Sequence, residues 1–232
     1  MDEELAELIG ILLGDGSLGI YNSKVGNRVK TQYRIKVTLN AEKDLAYSSY
    51  VAKLFEKVFK QTPKIWKRKE KAIDVYLLGR QSLYYLLELG LVLAPKWERA
   101  IVPERFLKPP SDRWILRGYM DTDGCISVVN NNGIRYPRIE MKICPSPMQN
   151  QLIRFMQQNG LEPQINRLEK GKVRVVLAGM KKLRKWNDLI GFSNERNLKV
   201  AFSFLKSPSC SIKNGSPDNS NCSGITCQDY LG

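Results

Sequence analysis

The chain has 232 residues, with 37 Lys+Arg against 23 Asp+Glu, a formal charge of +14 and no histidine. The missing histidine excludes a Ser-His-Asp triad, a Cys-His protease pair, an HExxH zinc site and a Cys₂His₂ finger. Acid–base work therefore falls to carboxylates, Lys, Tyr, Cys or metal-bound water.

With 43% apolar residues the chain can bury a sizeable core as one large or two small domains. The cation excess points to a polyanionic partner, nucleic acid before an anionic membrane surface. No apolar run reaches the roughly 18–20 residues of a membrane span. The acidic start, MDEEL, is unlike a signal or transit peptide. Five cysteines (Cys125, Cys144, Cys210, Cys222, Cys227) form no CxxC pair, and an odd count argues against a disulfide scaffold. A reducing cytoplasm or nucleoid is the expected compartment, with organellar expression left open.

In chain order, Leu5, Leu8, Ile9, Leu12 and Leu13 recur at helical spacing and predict a helix over 3–14 that ends in Asp15-Gly16. The following GDGSLG (14–19) matches the dinucleotide fingerprint, but that motif needs a strand before it and a helix after it, and here the order is reversed. Residues 28–39 alternate strictly: Arg28, Lys30, Gln32, Arg34, Lys36 and Thr38 share one face, and Val29, Tyr33, Ile35, Val37 and Leu39 the other. Such a period of two predicts a half-buried antiparallel strand, and its polar face carries four cations and no anion, as a nucleic-acid face does. A helix near 44–60, strands near 64–69 and 74–78, and a helix near 81–93 complete the segment. The sequence 103–113 (PERFLKPPSDR) is a basic, Pro-containing seam.

The plan then repeats. RWILRGYMDTDG (113–124) matches LAELIGILLGDG (5–16), pairing Gly10 with Gly118, Asp15 with Asp123 and Gly16 with Gly124. PRIEMKIC (137–144) resembles YRIKVTLN (33–40), VVLAG (175–179) resembles VYLLG (75–79), and Arg196-x-x-Lys199 resembles Lys96-x-x-Arg99. Helices near 147–159 and 179–190 and strands near 164–167 and 172–177 fill the second copy. The expected division is 1–104 for the first half, 105–112 for the linker, 113–206 for the second half and 207–232 for a disordered tail rich in Ser, Asn, Gly and Pro.

Both copies keep small-x-x-x-small followed by Asp-Gly. Gly10 and Gly14, and likewise Gly118 and Thr122, lie one turn apart, so each helix has a face without bulk that allows close backbone packing. Each helix is expected to end in a left-handed glycine, Gly16 or Gly124. The preceding aspartates sit at the negative ends of helix dipoles, where a carboxylate is disfavoured. If the small faces pack together, Asp15 and Asp123 converge with terminal carbonyls into a site for a hard cation such as Mg²⁺. Alternatively each Asp is a turn residue bonding its own loop.

LIGILLGDG (8–16) and LRGYMDTDG (116–124) resemble the two motifs of a single-chain LAGLIDADG homing endonuclease, and the likeness extends over nearly the whole chain to about residue 205. The resemblance implies an α+β fold of two pseudo-symmetric αββαββα halves, with motif helices at the interface and an antiparallel β-saddle in the major groove of double-stranded DNA. It implies a monomer that cuts both strands at a long asymmetric target with Mg²⁺ or another divalent ion such as Mn²⁺, in intron homing. Asp15 and Asp123 match the metal-binding positions, and Asp121 is read as structural. Lys96 and Arg196 match the basic residue of each half, and Asn40 and Lys142 the position that orders water; Lys96, Arg196 and Lys142 could equally contact phosphate or be solvated charges. DNA-reading candidates are Arg28, Lys30, Gln32, Arg34, Lys36, Lys64, Trp66 and Arg68 in the first half, and Arg135, Arg138, Glu140, Lys172 and Arg174 in the second. Trp66 is either an exposed aromatic or packed under its strand. The alternative function on the same fold is an RNA-binding intron maturase. An initial Met, no flanking splicing segments and no histidine argue against an intein.

Overall fold

The computed structural model describes residues 2–26 and 28–206. The elements run α1 (Asp2–Leu13), β1 (Gly16–Val25), β2 (Arg28–Asn40), α2 (Leu45–Phe59), β3 (Lys64–Lys67), β4 (Ala72–Leu78), α3 (Arg80–Glu88), α4 (Ser111–Asp123), β5 (Gly124–Asn131), β6 (Ile134–Ile143), α5 (Pro147–Gln158), β7 (Gln164–Arg167), β8 (Val173–Ala178), α6 (Met180–Leu189) and α7 (Glu195–Leu205). Each half reads αββαββα, as expected, and the second adds α7. The two four-stranded antiparallel sheets have matching orders, β1-β2-β4-β3 and β5-β6-β8-β7. The expectation of disorder over 207–232, with Cys210, Cys222 and Cys227, lies outside the described residues.

The alternation in β2 and β6 sets which face is covered. Ile35, Val37 and Leu39 in β2, and Ile139, Met141 and Ile143 in β6, are buried in one hydrophobic core with Val51, Leu54 and Phe55 of α2 and Leu152, Phe155 and Met156 of α5. The opposite faces carry the polar residues. At its N-terminal end β2 runs beyond the helical layer, and residues 28–31 are exposed on both sides. Val29, expected to point inward, is 63% exposed for this reason. Helix α3 stops at Glu88, short of the expected residue 93. Gly90 adopts a left-handed φ of 108° there, and the Leu91 amide folds back to the Leu86 carbonyl at 3.0 Å. Gly191 (φ 71°) takes the same place just after α6.

The halves meet along α1 and α4. A Cβ added at Gly10 would overlap the Ile115 carbonyl oxygen, and one at Gly118 would overlap the Glu7 carbonyl oxygen. In the repeat alignment Gly10 corresponds to Gly118 and Glu7 to Ile115, so the two contacts exchange under a twofold axis. Gly14 lies against Thr122, its own counterpart, near that axis. The expected small-residue interface is thus a backbone-to-backbone contact.

Around it the packing is asymmetric. Glu7 is buried and accepts hydrogen bonds from Arg117 (3.0 Å), the Tyr50 hydroxyl (2.8 Å) and the Ser193 hydroxyl (2.6 Å). A buried carboxylate is tolerated only when paired in this way. The counterparts of Glu7 and Arg117 are Ile115 and Ile9, so the other side of the interface is apolar. Asp121, also buried, accepts from the Ser193 and Asn194 amides and from Asn197 Nδ2 (2.8 Å), tying α4 to the start of α7. This is the structural role expected of it; burial pushes its carboxyl up to about 6, against the lowering effect of those hydrogen bonds.

Gly118→Val should lower stability by about 1–3 kcal/mol in urea unfolding, because the added atoms meet backbone that cannot yield as a side chain can. An unchanged midpoint would mean that the helices are not in backbone contact.

Candidate active site

Asp15 and Asp123 occupy the junctions between a helix and the first strand of its own half. The glycines after them are not left-handed, contrary to expectation: Gly124 is extended (φ −114°, ψ 168°), and Gly16 is absent from the residues with positive φ. Glycine is needed for room instead. A Cβ at Gly16 would overlap the Leu12 backbone, and one at Gly124 would overlap Met120, because each strand doubles straight back past the last helical turn. The Thr38 amide bonds the Asp15 carbonyl at 3.2 Å, so the aspartate is already anchored to the sheet.

Close helix packing brings the two carboxylates together. A Cβ on Gly14 would lie 3.4 Å from Asp123 Oδ2. Asp15 keeps a partly exposed edge, yet burial and then the Asp123 charge push its carboxyl up to about 7, against the opposing pull of Lys96. Burial likewise raises Asp123, against Lys96 and a hydrogen bond from the Tyr119 hydroxyl. The Tyr119 oxygen also lies 2.9 Å from the Lys142 carbonyl, which shares its one proton and locks α4 onto β6 beside the centre.

Lys96 and Arg196 reach equivalent places. The Lys96 ammonium donates to the carbonyls of Leu12 (2.9 Å), Gly14 and Gly16 (3.0 Å), using all three of its donors at the negative end of α1. Burial draws it below the usual lysine value, while Asp123 and Asp15 act the other way. Arg196 donates to the Gly124 carbonyl at 3.3 Å, the counterpart of the Lys96–Gly16 contact. It lies in the first turn of α7 and not in a loop, whereas Lys96 lies in the irregular segment between α3 and α4. Arg196 also pairs with Asp44 of the first half at 3.5 Å.

Asp44 is the residue that the repeat did not reveal. It is the N-cap residue of α2, yet its side chain does not cap the helix. Instead its carboxylate accepts from Asn194 Nδ2 at 2.8 Å and faces Arg196, and its charge adds to the upward shift of Asp15.

The water-ordering candidates are placed differently. The Asn40 side-chain oxygen accepts from the Glu42 and Lys43 amides at 3.0 and 2.9 Å, forming the turn into α2. Lys142 lies on the polar face of β6 opposite Arg174.

On the first sheet's polar face, Arg28, Lys30, Gln32, Arg34 and Lys36 share one side of β2 with Lys64 and Trp66 from β3, by way of Asp74 and Tyr76 in β4. Trp66 is 59% exposed, which settles its open alternative in favour of a surface aromatic. The face is not free of anions: Asp74 accepts from Thr38 (2.7 Å) and pairs with Lys36 (3.7 Å) and Arg68 (3.8 Å). In the second half Glu140 accepts from Ser127 at 2.9 Å and sits 4.0 Å from Arg174, and Lys172 lies over the Trp97 ring. Arg138, Glu140 and Lys142 share the polar face, but Arg135 falls on the opposite one with Pro137 and Ile139. Tyr21 and Tyr136, whose lack of charge gives no signal in the sequence, lie on the polar faces.

The donor set at the centre fits a hard divalent cation. Two partly exposed carboxylates whose charged forms are disfavoured stand among helix-terminal carbonyls, and every donor is oxygen. Among the described residues no cluster of three or more His, Cys, Asp and Glu offers another metal site, and no helix is long and apolar enough to cross a membrane.

The chain is 28% identical over 213 residues to the replication factor C small subunit of Methanocaldococcus jannaschii; the match covers 88% of this chain and spans 10% of that protein's length. Its fold is similar to that of the LAGLIDADG homing endonuclease I-GzeII in complex with its DNA target (TM-score 0.62, 11% identity, 87% of this chain and 88% of that one). It is also similar to I-DmoI in complex with DNA and Mn (TM-score 0.57, 15% identity, 82% and 97%) and to I-SmaMI bound to uncleaved DNA with calcium ions (TM-score 0.61, 12% identity, 87% and 91%). The family model for LAGLIDADG DNA endonucleases matches residues 6–178, three quarters of the chain, and the chain therefore belongs to the LAGLIDADG DNA endonuclease family.

Proposed function

We propose that this chain is a site-specific DNA endonuclease that acts as a monomer, makes a double-strand break at a long asymmetric target, and serves intron homing. The observation that carries the reading is the convergence of Asp15 and Asp123 from two repeated helix ends, flanked by Lys96 and Arg196. A pure binding protein gains nothing from two carboxylates held together in this way.

Hydrolysis of a phosphodiester needs a water positioned for attack, charge stabilisation of the phosphate and help for the leaving 3′-oxygen. Asp15 and Asp123 would hold Mg²⁺ or Mn²⁺, which supplies the charge stabilisation. Lys96 and Arg196 hold positive charge beside the carboxylates from either half, and so draw phosphate towards the centre. The polar sheet faces supply the contacts that position the duplex in register, through Lys and Arg on phosphates and base edges of the major groove.

Full-length protein with a random duplex library and Mg²⁺ should yield cleaved molecules sharing one long asymmetric sequence. Recovery of no cleaved DNA, together with tight binding to intron RNA, would replace this reading with the maturase. On the selected site Asp15→Asn and Asp123→Asn should each reduce cleavage by on the order of 100-fold or more while binding persists. Normal cutting by both would remove the metal assignment. Lys96→Met should slow cleavage on the order of tenfold or more, measured as single-turnover rate on the same site.

The raised carboxyl of Asp15, at about 7, sets a pH dependence. The folded protein holds this proton more tightly than the unfolded chain, so without metal its contribution to stability is present at low pH and is lost as pH rises from about 4 through 7. A divalent ion favours the charged form and must displace the proton, so metal affinity should fall as pH drops below about 7. Titration of Mn²⁺ binding between pH 5.5 and 8.5 checks this, and a flat profile would contradict it.

A further inference from the structure

The groove-side cations are not equivalent. Lys36 and Arg68 are paired with Asp74, and Arg174 lies beside Glu140. Arg34 and Arg138 make no ion pair with any described residue, and each is instead held by a tyrosine. Arg34 sits with its guanidinium carbon 4.3 Å from the Tyr21 ring centroid. The ring is in place because residue 19 is glycine: a Cβ there would run into the Tyr21 ring, and Gly19 is the direct cross-strand partner of Arg34. The bare backbone of β1 is thus a shelf for the ring, and the ring a shelf for the guanidinium. Arg138 is fixed in another way. Its Nη2 donates to the Tyr136 hydroxyl at 3.0 Å and its guanidinium carbon lies 5.4 Å from that ring.

The two arginines occupy equivalent positions. YRIKVTLN (33–40) aligns with PRIEMKIC (137–144), placing Arg34 on Arg138, and both lie in matching rows of their sheets. Gly19, Arg34 and Leu78 form one row, and Ser127, Arg138 and Ala178 the other, with no carboxylate in either. The clamping tyrosines come from different strands, Tyr21 from β1 and Tyr136 from β6, so the clamps are not copies of one ancestral pair.

Arginine carries large rotamer freedom, and ordering it before binding removes part of the cost of recognition. A planar guanidinium held by an aromatic ring, with no carboxylate competing for it, is prepared for bidentate contact with guanine O6 and N7. We propose that Arg34 and Arg138 are the chief specificity-determining residues, each preset by its tyrosine to read a guanine. Because the halves are related by a twofold, the two guanines lie on opposite strands at equal distances from the centre of an otherwise asymmetric target. Tyr21 and Tyr136 are positioning residues that act through the arginines. This inference rests on the proposed reading of the sheets as a DNA face.

The test is selection of bound and cleaved duplexes from a random library by full-length wild type, Arg34→Lys, Arg138→Lys, Tyr21→Ala and Tyr136→Phe. Wild type should enrich guanine at two positions equidistant from the cleavage centre. Each Lys substitution should lower guanine preference about tenfold or more at its own position only, since a flexible lysine ammonium lacks the planar, fixed fork that the tyrosine presets. Tyr21→Ala should soften the Arg34 position about threefold or more, and Tyr136→Phe the Arg138 position more weakly, with the rest of the profile intact. A second route to the same readout is Gly19→Ala, which displaces the Tyr21 ring and should mimic Tyr21→Ala. An enriched site whose profile is unchanged in these variants, or weakened evenly at every position as loss of a phosphate contact would do, overturns the clamp and leaves the DNA reading standing. Failure of wild type to enrich any duplex overturns the DNA reading and this inference with it.

Discussion

Everything at the centre of this molecule depends on two helices touching backbone to backbone. Gly10 and Gly118 have no side chain where a side chain would meet the other helix's carbonyl, and Gly14 leaves the space beside Asp123 open. A bulkier interface would separate the helices by the usual 8–10 Å set by interlocking side chains. The two aspartates at the helix ends would then be independent turn residues. At the observed approach the Asp123 charge raises Asp15, and Lys96 acts on both carboxylates. Electrostatic strain at the centre is therefore a consequence of packing, and it is what a dication would relieve. The halves contribute unequally around this symmetric contact. One side of the interface carries the Glu7–Arg117–Tyr50–Ser193 cluster, and Asp44 pairs across the halves with Arg196.

Much of this was legible because it is periodic or repeated. The strict alternation of β2 identified its inward residues from Ile35 onward, and the twofold appearance of small-x-x-x-small before Asp-Gly identified the interface and the carboxylate pair. The same logic failed where local pattern does not control the outcome. Val29 keeps the alternation but lies beyond the edge of the helical layer, so there is nothing to bury it. Arg135 looked like part of the cationic face because it is basic and near Arg138, yet an odd separation places it on the other side of the sheet. Asp-Gly suggested a left-handed cap, whereas the need is for space beside Leu12 and Met120.

Long-range polar partners were the least visible. Asp44 has the sequence context of an N-cap, and only the fold reveals that its carboxylate meets Asn194, some 150 positions away. Asp74, which comes from β4, neutralises two cations of a face that β2 alone made appear purely basic. Tyr21 and Tyr136 carry no charge and therefore gave no signal, although they determine how two arginines are presented. A charge pattern along one strand thus locates a basic face but does not rank its members.

Two helix ends make one shared centre. The most direct test of this sharing is Mn²⁺ binding to the full chain, followed by electron paramagnetic resonance, for wild type and for the single Asp15→Asn and Asp123→Asn variants. A shared centre predicts that either substitution weakens the binding of every ion taken up there. If each substitution instead removes one ion and leaves the affinity of the remaining one unchanged, the aspartates are separate sites and no shared centre exists.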